Sequence, residues 1–166
     1  MRLFRNKSKP VKYSANFETL SDFQGLPAGS KIQLIQDDET GKLLICLEKD
    51  VSRPLAFLSY SQLTHARVIS EQEVKEQKTN IIGRAVVGDL LLGPVGALVG
   101  GMSAVGKKKI ENKRFYIINY RPIDKPKETE VLAFGVPDST QFLPRFTFEL
   151  LKKIPEQRAP ETPKQL

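Results

Sequence analysis

The chain has 166 residues, 40% of them hydrophobic, which fits one domain with appendages. A net charge of +7 points to an anionic partner: lipid headgroups, nucleic acid or an acidic protein. The single cysteine, Cys46, excludes an intrachain disulfide and suits a reducing compartment, and the basic N-terminus runs into polar VKYSANFE rather than an apolar signal core, so a cytoplasmic protein is expected.

Residues 1–14 read as a basic N-terminal arm. Arg2, Arg5, Lys7, Lys9 and Lys12 carry no acid among them, and a solvated terminus is a simpler reading than a membrane-touching one. Residues 11–18 offer a possible further strand. From Lys31 the texture is that of short strands. Residues 31–36 partly alternate, Asp37-Asp-Glu-Thr-Gly41 supplies turn residues, and 42–48 form the second arm of a hairpin. Residues 49–54 read as another turn, 55–60 as a third strand and 65–74 as a fourth. The pattern then breaks for about thirty residues. It resumes at Arg114-Phe-Tyr-Ile-Ile-Asn-Tyr120, which is aromatic and β-branched. After the turn-rich stretch 121–127, residues 130–136 form the next strand. Phe142, Phe146, Leu150, Leu151 and Ile154 then recur at helical spacing, with Pro144 in the first turn and Lys152 and Lys153 at the C-terminal end. Residues 155–166 are polar and proline-rich and read as a disordered tail.

This order predicts a mainly β (α+β) architecture. It is a bent antiparallel sheet, or partly open barrel, closed at one end by an amphipathic C-terminal helix. The run from Gly25-Leu-Pro-Ala-Gly-Ser-Lys31 through the 32–48 hairpin to that helix resembles a bacterial pleckstrin-homology-like (PH-like) domain. The segment GRAVVGDLLLGPVGALVGGMSAVGKKK, residues 83–109, followed by residues 115–120, is the more specific part. It resembles small bacterial and phage proteins in which a glycine-rich loop interrupts that barrel. The resemblance covers roughly residues 20–154. It implies a domain spanning 15–154, interrupted by a glycine-rich insertion at 81–110, with a binding role and no catalytic residues.

The insertion needs its own account. Between Ala85 and Val105 the only charge is Asp89, so a transmembrane helix of about twenty residues is formally allowed. Three features oppose a single crossing. Pro94, after Gly93, would break the helix in its middle, Asp89 is costly at depth, and strands on either side require both ends on one side of a bilayer. A helical hairpin turning at Gly93-Pro94 satisfies the last of these, since it returns both ends to one side. Its arms of about eleven residues would each be roughly 16 Å long, half a hydrocarbon core. Gly96, Gly100 and Ala104 are four apart, as are Gly93, Ala97 and Gly101, forming two small-residue ridges that allow close backbone approach. Each glycine costs a helix about 1 kcal/mol, so such a hairpin needs a partner surface: lipid, a second copy, or its own barrel.

The expected membrane- or partner-binding residues are Gly88, Leu90, Leu91, Leu92, Gly93, Pro94, Gly96, Leu98, Val99, Gly100, Gly101 and Met102. Arg84, Lys107, Lys108, Lys109, Lys113 and Arg114 flank them and suit an anionic surface. An apolar element with adjacent lysines is the two-signal arrangement of peripheral membrane binding.

Enzymatic chemistry finds little support. Gly101-Met-Ser-Ala-Val-Gly106-Lys107 matches the opening of a phosphate-binding loop, but Lys108 stands where Ser or Thr would hold the metal, and a strand rather than a helix follows. His65 is the only histidine, Cys46 sits among strand aliphatics, and Asp37, Asp38 and Glu39 are explained by a turn. Phe115, Tyr116 and Tyr120 beside Lys113 and Arg114 lack an RNA-motif spacing. The expectation is a non-enzymatic module without metal or cofactor, binding an anionic membrane surface or a protein partner. It is able to self-associate, and neither nucleic acid nor a nucleotide is expected as ligand.

Overall fold

The computed structural model describes residues 13–73 and 113–155. Within them the strands are β1 (Tyr13–Thr19), β2 (Lys31–Asp37), β3 (Lys42–Leu47), β4 (Asp50–Ser59), β5 (Leu63–Ser70), β6 (Arg114–Tyr120) and β7 (Glu130–Val136). A single 3-10 turn, Tyr60–Gln62, joins β4 to β5, and a helix, α1 (Leu143–Leu151), follows β7. The strands form one antiparallel sheet in the order β4-β3-β2-β1-β7-β6-β5. It is not closed: β4 and β5 are its edges.

One core gathers inward side chains from every strand, from Leu58 of β4 round to Leu63 and Ala66 of β5, so the sheet curls about it. The helix packs against β1 and β5 and fills the concave side with Leu143, Phe146 and Leu150. Phe17 lies at the centre, its ring centroid 4.9 Å from Tyr116, 6.1 Å from Phe146 and 6.3 Å from Phe134. Each fully buried side chain of this size contributes about 1.5–3 kcal/mol of transfer free energy. The bent sheet and terminal helix are therefore as the sequence pattern predicts.

Several boundaries differ, each for a physical reason. The possible first strand is real, and it takes Tyr13 and Ser14 from the expected arm because both pair with β2. Residues 50–54 are strand rather than turn. The hairpin turns at Glu48-Lys49, and β4 pairs with β3 through irregularities on either side of Cys46. Pro54 is tolerated there because β4 is an edge strand, where a missing N–H breaks no ladder. The expected strand to Val74 stops at Ser70. Glu73 then accepts the Ser70 N–H at 2.6 Å and donates its own N–H to Ser70 Oγ at 3.2 Å, a reciprocal cap that turns the chain.

The helix face also shifts by one residue. Phe142 is 74% exposed and adopts a left-handed conformation (φ 57°) at the N-cap, while Leu143 takes the buried position. Ile154 is buried as expected, though it lies beyond the helix end.

Candidate functional site

Ser70 and Arg114 are cross-strand partners at the end of the β5–β6 ladder. One step beyond, the Glu71 N–H donates to the Lys113 carbonyl at 2.9 Å. The insertion thus leaves and re-enters the sheet at one point, from strands about 4.8 Å apart. Lys113 and Arg114 are both exposed at this neck.

Of the residues expected to form the binding surface, these two are the ones the structure describes. Gly88, Leu90, Leu91, Leu92, Gly93, Pro94, Gly96, Leu98, Val99, Gly100, Gly101 and Met102 lie outside the described residues. So do Arg84, Lys107, Lys108 and Lys109, and so does the expected helical hairpin. Among the described residues no helix is long and apolar enough to cross a membrane.

Next to the neck is a feature that composition does not announce. β6 is buried on both faces. Tyr116 and Ile118 point into the core, while Phe115 and Ile117 join Ile69 in a second apolar cluster, with Leu20, Val131 and Ala133 at its margin. The register arranges this outer face in three rungs: Ile69–Phe115–Gly135, Arg67–Ile117–Ala133 and His65–Asn119–Val131. Asn119 is 4% exposed, and its Oδ1 finds no hydrogen-bond partner among the described residues; nor does the buried Nε of Arg67. A signal for this existed in RFYIINY, which is apolar on both alternating faces, as strands covered on both sides are.

At the opposite rim, Lys153 ties the helix end to the β2–β3 hairpin. Its Nζ lies 2.8 Å from Asp38 Oδ1 and donates to Gln36 Oε1 at 2.6 Å, with the Tyr13 and Tyr60 ring centroids 5.3 and 5.4 Å away. Tyr60 donates to Asp38 Oδ1 at 2.9 Å, and burial together with that carboxylate pushes the phenol pKa up. Thr40 donates to Asp37 at 2.9 Å. The acidic turn is thus a clamp for a lysine far away in sequence.

Cys46 and His65 are not brought together as a pair along the sheet. Cys46 is on β3 and His65 on β5, with β2, β1, β7 and β6 between them. Burial, and after it Asp50, raises the Cys46 thiol pKa, which disfavours the thiolate a nucleophile would need. An open polar groove of about 240 Å³ lies over β1 and β2, where Gln33 donates to Asn16 at 3.0 Å and Asn16 donates to Glu48 at 3.0 Å. Asn16 thereby links Gln33 to Glu48 across the groove floor.

Among known families, the model described as a glycine zipper containing PH domain matches residues 24–121, more than half of the chain. That span takes in β2 to β6 together with the whole insertion. No curated protein and no solved structure matches the chain.

Proposed function

The chain belongs to the glycine zipper containing PH domain family, and on that premise we propose that it is a non-enzymatic binding module that associates peripherally with the inner face of a membrane. Its glycine-rich segment, Gly88–Val105, supplies the apolar contact. Arg84, Lys107, Lys108, Lys109, Lys113 and Arg114 meet anionic headgroups. The observation that carries this reading is the neck. Glu71 and Lys113 are hydrogen-bonded neighbours, so the insertion, which holds one charge between Ala85 and Val105 in sequence, begins and ends at one place on the sheet, where Lys113 and Arg114 are exposed. Membership in a PH family supports a binding role in kind; the lipid partner is inferred from chemistry at this one place.

A second reading uses the same segment differently. The ridges Gly96/Gly100/Ala104 and Gly93/Ala97/Gly101 suit close helix contacts, so a soluble adaptor that self-associates or grips a protein partner competes with the lipid module.

Flotation with anionic vesicles separates the two. The intact chain should float with them and lose this property in high salt, while a chain lacking Gly83–Gly106 should stay behind. Failure of the intact chain to float, combined with concentration-dependent oligomers, would transfer the segment to the adaptor reading.

A further inference from the structure

β7 leaves β1 early. The β1–β2 ladder runs without a register shift from Tyr13 to Glu18, and beyond it the Thr19 N–H donates to the Ser30 carbonyl while the Thr19 carbonyl accepts from the Gly29 N–H. Main-chain groups alternate sides along an antiparallel strand, so Phe17, Ala15 and Tyr13 also turn theirs toward β2. Glu18, Asn16 and Ser14 turn theirs the other way. On that side β7 pairs with β1 at Glu18 and Thr19 and no further. The next rung would set Asn16 against Pro137, which has no N–H to give. The chain turns away there, with the Thr140 N–H on the Pro137 carbonyl at 3.0 Å, and the Thr140 hydroxyl donates to the Asn16 carbonyl at 2.7 Å. The Asn16 N–H and both main-chain groups of Ser14 are left facing the open groove between β1 and residues 139–141, without a hydrogen-bond partner among the described residues. We propose that this groove binds an extended, uncharged peptide segment of a partner protein, which adds to β1 where β7 departs.

The chemistry of the groove selects that ligand. None of the seven residues lining it is charged, so an anion, which the net charge of +7 suits elsewhere on the molecule, meets no cation here. None is aromatic, so a nucleobase has no ring to stack on. Its volume of about 240 Å³ falls below the roughly 300–1,000 Å³ of pockets that enclose a small molecule, and the groove is open, which suits a segment lying across it. The groups on offer are those of a strand edge. Ser14 and Asn16 are two positions apart, hence about 6.8 Å along the strand, the repeat that a second strand matches with its own N–H and carbonyl groups. Asn16 and Gln33 on one wall, and Ser139 and Gln141 on the other, add neutral donors and acceptors for the segment's side chains. The groove shares no residue with the lipid contact, so either reading can fail alone.

The test pans a random heptapeptide display library against the full chain and follows amide hydrogen exchange as an enriched peptide is added. The enriched peptides should be uncharged, and saturation with one should slow exchange at the Ser14 and Asn16 amides about tenfold or more. Ser14→Pro removes one outward N–H and no bond of the β1–β2 ladder, a placement in which proline is tolerated. It should weaken binding about tenfold or more, whereas Ser14→Ala, which keeps the N–H, should bind as the parent does. No enrichment, a charged consensus, or equal binding by Ser14→Pro would overturn the proposal. Slowed exchange along the free edges of β4 or β5 in place of Asn16 would overturn it by moving the contact there. Slowing that appears on concentrating the protein without peptide would also overturn it, by assigning the groove to a second copy. Cys46, fully buried in β3, reports folding by staying silent toward a thiol reagent. If Cys46 reacts in Ser14→Pro, that variant has unfolded and exchange in the parent chain decides: protection of Asn16 by the peptide supports the site, and an unchanged rate refutes it.

Discussion

Ser70 and Arg114, forty-four positions apart in sequence, face each other across the β5–β6 ladder. Their pairing brings the two ends of a long insertion together, with exposed Lys113 and Arg114 at one of those ends. Replacing Lys113 and Arg114 together by alanine should weaken binding to anionic vesicles by about 2 kcal/mol, at about 1 kcal/mol per basic residue near the surface. Vesicle co-sedimentation across a lipid titration measures this as a loss of roughly thirtyfold. An unchanged affinity would take both residues out of the contact.

Lys153 is held by Asp38, Gln36 and two tyrosine rings, and Gln36 is fully buried. Lys153→Met removes the charge and leaves Gln36 Oε1 without its donor. Asp38 is half-exposed and its share is screened, so the expected loss is about 1–3 kcal/mol. The urea midpoint should fall accordingly. A midpoint equal to that of the parent would show that the clamp contributes nothing.

Phe142 makes the opposite case. Its left-handed backbone is unfavourable for a residue with a bulky Cβ substituent, and its exposed ring contributes little packing. Phe142→Gly should therefore stabilise the domain by about 0.5–1 kcal/mol, raising the thermal midpoint by several degrees. A fall in midpoint would mean that the ring has a covering partner.

His65 lies on the outer face beside Asn119, and burial, then Arg67, lowers its pKa. A histidine with a folded pKa below its unfolded value, about 6.5, binds fewer protons folded than unfolded between those two values. Its contribution is complete above about pH 6.5 and declines as the pH falls toward the folded value. Denaturation midpoints taken between pH 7.5 and 5.5 should drop less in His65→Gln than in the parent. Parallel profiles would refute this.

Much of the domain was legible in the pattern of residues. The strand content of 31–36, 42–48, 114–120 and 130–136 and the helical spacing of Phe146 and Leu150 report local preferences that survive packing. What went astray depended on neighbours. Residues 50–54 hold turn-forming types, yet edge pairing with β3 draws them into a strand. Phe142 fits the helical period, yet the entry of the chain into α1 turns it outward. Asp37-Asp38-Glu39 reads as a turn, and nothing in its sequence names Lys153 as its partner.

Local runs of residues carry the strands, the terminal helix and the basic flanks of the insertion, because period, turn residues and charge act within a few positions along the chain. The tertiary structure decided that the insertion's ends meet, that β6 is covered on both faces, and that a distant lysine closes the acidic turn. Those outcomes depend on which strands become neighbours, and strand order is settled by burying one shared core rather than by any local run of residues.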